Sequence, residues 1–209
     1  MINSGEKPWN IFCPGPSLKY FDGDIFHTIG IVPAVDPKSA IFYPGVAVNN
    51  AIFYPGLRDY CQFWAVQDNP SPFLDKGTSL FGARPVVWCR KEFSEVWKRH
   101  SFPVWTHPAT EGSFRETLTV FKNPFPFVEF LGLTVTTAMI RAVQMGARTL
   151  YIFGCDLQGE GYACGEDYQH RSKTNWEERW KNELQTMRVV ANFLRGEGVQ
   201  IKNFGLAQF

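Results

Sequence analysis

The chain has 209 residues, of which 44% are hydrophobic, 16% aromatic and 20% charged, enough to bury one sizeable core in a single domain spanning residues 1–209. Lys and Arg total 21 against 20 Asp and Glu, a formal charge of +1. That balance excludes proteins driven by charge onto nucleic acids or membrane surfaces.

No apolar run reaches the roughly 18–20 residues of a membrane span. Residues 1–10 are polar and include Pro8, unlike a signal peptide. The expectation is a cytoplasmic protein with no transmembrane segment and no nucleic-acid partner. Five cysteines are spread widely, without a Cys-x-x-Cys, and three sit in apolar runs. They read as buried, reduced thiols rather than a zinc site.

In chain order, the first short apolar run covers residues 10–13 and leads into Cys13-Pro14-Gly15-Pro16-Ser17-Leu18. A Gly-Pro-Ser turn entering a helix offers N–H groups and a hydroxyl to an anion. The alternative is a structural turn with Ser17 as helix cap. It is neither a Walker loop nor Gly-x-Gly-x-x-Gly. Asp22 and Asp24 have the spacing of metal-dependent sugar transferases, but they follow the turn and read as loop; no metal is assigned.

A second run, 27–32, precedes the Pro-rich residues 33–46, which lack periodicity. Ile-Phe-Tyr-Pro-Gly occurs at 41–45 and again at 52–56, too little for a repeat architecture. Val48-Asn49-Asn50 precedes a short helix over 50–53. The run 61–66 ends in Gln67-Asp68-Asn69-Pro70-Ser71. Asn49 and Asn69 carry donor and acceptor together, which suits base edges or ribose hydroxyls; an Asx turn is the alternative. A run over 85–89 and a helix over 91–98 follow. Residues 106–126 are again Pro-rich and irregular, and aromatics at Phe125 and Phe127 suit a cleft wall.

The spacing of Val135, Ala138, Met139, Ala142 and Val143 predicts a helix over 134–145, stopped by Gly146. A strand over 149–153 leads to Gly154 and Asp156. Tyr162 then lies in a glycine-rich loop. His170, Arg171 and Lys173 sit in a polar, cationic loop suited to a diphosphate; a solvated loop is the alternative. Thr174 and Glu177 form a capping box for a helix over 175–195, and a strand over 199–203 closes the order. His27, His100 and His107 are scattered and carry no assigned role.

Alternating strands and helices predict an α/β fold with a mostly parallel sheet and helices on both faces. Ligands in such folds sit at the carboxyl ends of strands.

The succession of these motifs resembles a known group. Residues 11–19 look like the opening Gly-Asn-Gly-Pro-Ser-Leu motif of bacterial CMP-sialic-acid-dependent sialyltransferases. A related family that includes 6-hydroxymethylpterin diphosphokinase-like proteins shares it. Asn49 is similar to the Asn after the second strand of both. Residues 63–71 resemble the sialyltransferase Phe-Tyr-Asn-Pro-Ser, residues 134–156 a segment of both families, and residues 169–173 the sialyltransferase Gly-His-Ser-Lys. The loops 33–46 and 72–130 fall outside the resemblance.

The resemblance implies a Rossmann-like, doubly wound single domain with a small lid at 157–174, and inverting, metal- and cofactor-independent transfer. A sugar would pass from a nucleotide-sugar donor to a glycan or other hydroxyl acceptor. By motif, Gly15, Pro16, Ser17, Asn49, Asn69, Thr134 and Asp156 line the nucleotide site. Tyr162, Arg171 and Lys173 hold phosphate, and His170 is the general base. Departures are Cys13 and Pro14 for the motif's first Gly and Asn, Thr134-Val135 for a Ser-Gly pair, and Gln158 for a tyrosine. A non-catalytic binding module and a Mg-dependent pterin diphosphokinase-like enzyme, using Asp68 and Asp156, stay open, as does a homo-oligomer.

Overall fold

The computed structural model describes residues 8–21, 44–76, 81–107, 133–158 and 176–209. Among these, seven strands build one parallel sheet: β1 (Trp9–Phe12), β2 (Gly45–Val48), β3 (Phe63–Val66), β4 (Val86–Arg90), β5 (Val104–His107), β6 (Thr149–Phe153) and β7 (Gln200–Asn203). Their order is β5-β4-β3-β2-β1-β6-β7, with every neighbouring pair parallel. The expected α/β, doubly wound, Rossmann-like architecture is what the chain adopts.

The central strands β1, β2, β3 and β6 are buried on both sides because both faces are covered, whereas the edge strand β7 exposes Gln200 and Lys202. Ile11, Val46, Val48, Ala65, Leu150 and Ile152 point into one core. The alternate residues Phe12, Ala47, Trp64, Val66, Tyr151 and Phe153 point into the other. Among the described residues the α-helices are α1 (Ser71–Leu74), α2 (Ser94–Arg99), α3 (Thr134–Gln144) and α4 (Trp176–Gly196). From α3, Ala138, Met139 and Ala142, and from α4, Met187, Val190, Ala191 and Leu194, fill the first core. The second is aromatic: Trp64 is fully buried, edge-to-face with Trp97 of α2 at 5.0 Å and with Phe73 of α1 at 5.8 Å. Edge-to-face pairs add roughly 0.5–1.5 kcal/mol each beyond the area they bury.

The end of α3 follows from its sequence. Gly146 takes φ +99, a left-handed conformation open to glycine without strain. Ala147 N–H reaches back to Ala142 and Gly146 N–H to Val143, so the last carbonyls are satisfied.

Several elements differ from the sequence expectation. Residues 45–46 and 106–107, expected to be irregular, belong to β2 and β5. β2 forms beside Tyr60 because residue 45 is glycine; a Cβ there would lie 1.9 Å from the Tyr60 carbonyl oxygen. The helix expected over 50–53 is a 3-10 turn (Asn49–Phe53). The one expected over 91–98 begins as a 3-10 turn (Lys91–Phe93) before α2. The expected strand 27–32 and the Thr174 cap lie outside the described residues.

Candidate functional site

From β1 the chain runs outward through β2 to β5, then returns to β6 on the other side of β1. The strand order reverses between β1 and β6, the place where a crevice forms at the strands' carboxyl ends in such sheets. A cleft of about 310 Å³ lies there.

Its floor is built by two loops zipped together beyond the strands. Cys13 N–H donates to the Phe153 carbonyl at 2.7 Å and Gly15 N–H to the Gly154 carbonyl at 2.9 Å. Neither glycine tolerates a side chain. A Cβ on Gly15 would sit 2.3 Å from the Gly154 oxygen, and one on Gly154 would sit 2.2 Å from the Cys13 oxygen, at φ +67.

Asp156 closes this clasp. It is 3% exposed. Its Oδ2 accepts from Ser17 N–H at 2.7 Å; its Oδ1 accepts from the Ser17 hydroxyl at 2.5 Å and from Leu206 N–H at 2.9 Å. Pro14 and Pro16 have no N–H, and those of Cys13, Gly15 and Ser17 are all engaged within the protein. Cys13, Pro14, Gly15 and Pro16 line the cleft, but they give it shape rather than donors. Ser17 is not among the lining residues.

Asn49 follows β2 with φ +48, a conformation asparagine enters more readily than most residues. Its carbonyl accepts from the Trp64 indole at 2.8 Å, which ties it to the aromatic core. Its side-chain Oδ1 is buried without a hydrogen-bond partner among the described residues. Asn49 lines the cleft, and a turn of its side chain towards a ligand donor would satisfy an otherwise costly orphan. Asp68, exposed after β3, also lines it. Asn69 does not; its Oδ1 accepts from Ser71 N–H at 3.0 Å, the Asx-turn arrangement.

Leu133, Thr134 and Val135 bring the start of α3 to the cleft. The first N–H groups of a helix have no intrahelical acceptor and carry the positive end of its dipole, so this wall favours negative charge. Under the cleft, the Cys155 sulfur hydrogen-bonded to Cys13, and then burial, hold the Cys13 thiol protonated well above the usual range.

Sequence reasoning missed the remaining wall. From α4, Arg179, Trp180 and Glu183 face the cleft. Arg179 Nε donates to Glu183 Oε1 at 2.6 Å, one helical turn on, and its guanidinium lies 5.3 Å from the Trp180 ring centre. Within the expected helix over 175–195, nothing local marks Arg179 and Glu183 beyond their opposite charges one turn apart. Of the expected site residues, the structure brings Gly15, Pro16, Asn49, Thr134 and Asp156 together. Tyr162, His170, Arg171 and Lys173 lie outside the described residues, as does most of the expected lid at 157–174.

No protein-family model matches the chain. No curated protein matches it either. Solved structures do share its fold. The sialyltransferase CstII from Campylobacter jejuni, in complex with cytidine-5'-monophosphate, superposes with a TM-score of 0.53 at 16% identity, over 98% of this chain and 82% of that one. The monofunctional alpha-2,3-sialyltransferase Cst-I from Campylobacter jejuni gives 0.54 at 13% identity, over 100% and 78%. The sialyltransferase CST-II with a trisaccharide acceptor and CMP gives 0.52 at 15% identity, over 96% and 81%. At these identities the likeness establishes a shared fold. No helix among the described residues is long and apolar enough to cross a membrane.

Proposed function

We propose that the chain is a glycosyltransferase that moves a sugar from a nucleotide-sugar donor to an acceptor hydroxyl. The observation that carries this reading is the cleft at the β1–β6 switch point, lined by the first turn of α3 and by Asn49, whose buried Oδ1 has no hydrogen-bond partner among the described residues. An acceptor for a base or ribose group and a wall that favours phosphate are what a nucleotide needs. The fold shared with CstII supports it, and CMP, which that protein binds, is the first nucleotide to try.

In this reading His170 removes the acceptor's hydroxyl proton, the oxygen attacks the anomeric carbon, and the nucleotide leaves. Tyr162, Arg171, Lys173 and the start of α3 stabilise the departing phosphate. Neutral imidazole suits the task because histidine's ordinary pKa of about 6.5 lies near working pH.

One observation favours a second reading, a nucleotide- or sugar-binding module without transfer. The residue 13–17 turn has its N–H groups and the Ser17 hydroxyl engaged within the protein, which leaves a leaving group fewer donors. The pterin diphosphokinase-like reading has no support. Both Asp156 oxygens are taken, and the described residues include no group of three His, Cys, Asp or Glu placed to hold a metal ion.

Calorimetric titration with CMP, UDP and ATP, each with and without Mg²⁺, tests the reading. Binding of CMP or UDP independent of Mg²⁺ supports it; binding of ATP alone, and only with Mg²⁺, overturns it.

A further inference from the structure

The chain stays with the sheet beyond the end of β7. Phe204 N–H donates to the Ile152 carbonyl at 2.7 Å, and its ring stacks on Phe153 at 4.9 Å. Gly205 then lies against the loop after β6; a Cβ on it would sit 2.4 Å from the Cys155 oxygen. The next N–H groups turn onto that loop. Leu206 donates to Asp156 Oδ1 at 2.9 Å, and Ala207 to the Cys155 carbonyl at 3.2 Å. Asn203 folds this segment. Its Nδ2 donates to the Cys155 carbonyl at 3.1 Å and to the Ala207 carbonyl at 2.7 Å, and its Oδ1 accepts from Gly205 N–H at 3.1 Å. Two donors and an acceptor on so short a side chain are what only asparagine offers.

We infer that Asn203 is a positioning residue for the nucleotide cleft. It folds residues 203–207 into a brace that fixes the cleft's floor from outside. The loop so held carries Cys155, Asp156 and Leu157, all of which line the cleft, whereas Asn203 is not among the lining residues. Leu157 takes φ +48, a left-handed backbone that costs a leucine free energy and persists only where the surroundings impose it. The bonds from the brace to Cys155 and Asp156, just before Leu157, supply that constraint. Through Asp156 the brace also reaches Ser17 and the turn after β1. An aspartate at 203 would turn an oxygen onto two carbonyls, a worse contact than alanine makes. This role rests on the reading of the cleft as a nucleotide site.

Calorimetry with CMP and amide hydrogen exchange by NMR, both on the full chain, test it. Asn203→Ala should weaken CMP binding about tenfold at a temperature where the variant is folded, and Asn203→Asp at least as much. The Ser17 and Leu206 amides should exchange at least about tenfold faster in both variants. Two controls separate positioning from lost stability. Lys202→Ala, exposed on the same strand, should keep affinity and exchange within about twofold of wild type. Phe102→Leu, in the aromatic core before β5, should lower the melting temperature yet bind CMP as wild type does. Unchanged Ser17 exchange in Asn203→Ala, or an affinity loss that Phe102→Leu matches, would overturn the inference. CMP that fails to bind wild type counts against the nucleotide reading, and the Ser17 exchange rate then decides whether Asn203 braces the floor.

Discussion

Ser17 gives both its N–H and its hydroxyl to the carboxylate of Asp156, 139 residues further along the chain. The same carboxylate takes Leu206 N–H. One side chain thus ties the loop after β1 and the segment after β7 to the loop after β6, at the point where the cleft opens. A carboxylate with three hydrogen bonds inside the protein acts on a ligand by positioning, through the shape of the turn it holds.

Asp156→Asn replaces one acceptor oxygen with a donor, and at either position at least one N–H or O–H then faces an N–H. A loss of about 1–3 kcal/mol of stability is expected, read from urea unfolding. Ser17→Ala should lose less, since its N–H bond remains. The double mutant should show coupling of about 0.5 kcal/mol or more; strict additivity would mean the two side chains do not act together.

Gly15→Ala should destabilise by about 1–3 kcal/mol, because its Cβ would meet a backbone oxygen of Gly154 that cannot swing away. Gly82→Ala is the control, with nothing within 4 Å of its added carbon. Similar melting temperatures for the two variants would show that the loops can separate at little cost.

The two asparagines should behave differently. Asn49→Ala removes an unpartnered acceptor from a cleft-lining residue, so nucleotide affinity should fall by about 1–3 kcal/mol, with about 1 kcal/mol of stability lost because alanine enters φ +48 less readily. Asn69→Ala removes the bond that caps the Ser71 turn, so it should cost about 1 kcal/mol of stability with a smaller change in affinity. Calorimetry and thermal melts on both variants decide this; the reverse pattern would move the nucleotide to the β3 side of the cleft.

Buried thiols give stability a pH dependence. Desolvation, with Glu92 adding to it and Lys98 opposing, pushes the Cys89 thiol up to about 12. Burial raises Cys61 as well, and Cys155 with burial raises Cys13. In an unfolded chain these thiols ionise near pH 8.5. The folded state therefore holds more protons above that pH, and stability falls as pH rises from about 8.5 towards 12. Each thiol adds at most about 1.4 kcal/mol per pH unit. Urea midpoints should drop between about pH 8 and pH 10, and less in Cys89→Ala; an identical drop in that variant would assign the effect elsewhere.

The fold was legible where elements are long or apolar throughout. The stripe of α3 and the buried run of β6 are local patterns, and they appeared within a residue or so of their expected bounds. β2 and β5 were not legible. Each has four residues amid proline-rich sequence, too few for periodicity to rise above the surrounding turns. The glycines and Asn49 of the site were legible because tight loops at strand ends restrict residue type. The Ser17–Asp156 bond was not, since nothing local marks a contact across 139 residues. Arg179 and Glu183 look like a solvated helical pair in sequence; the packing of α4 against α3 is what turns that side to the cleft.

The reaction reading depends most on His170. In the sequence it stands four residues before the expected Thr174–Glu177 capping box and six before Trp176, the first residue of α4, whose first turns form one wall of the cleft. In the proposed reaction the base meets the acceptor, while Asn49 and the start of α3 serve the nucleotide. General-base assistance is worth about 10²–10⁴-fold. His170→Ala should therefore lower turnover by at least about 10²-fold while donor affinity stays nearly constant, because the group meets the acceptor and not the nucleotide. Neutral imidazole is the active form, so turnover should rise with pH through an ionisation near about 6–7 and level off above it. His170→Gln should share the loss, since glutamine can hydrogen-bond but cannot take the proton. A His170→Ala variant that keeps most of its turnover, with the same pH profile, would remove this mechanism and leave a reaction driven by the leaving group.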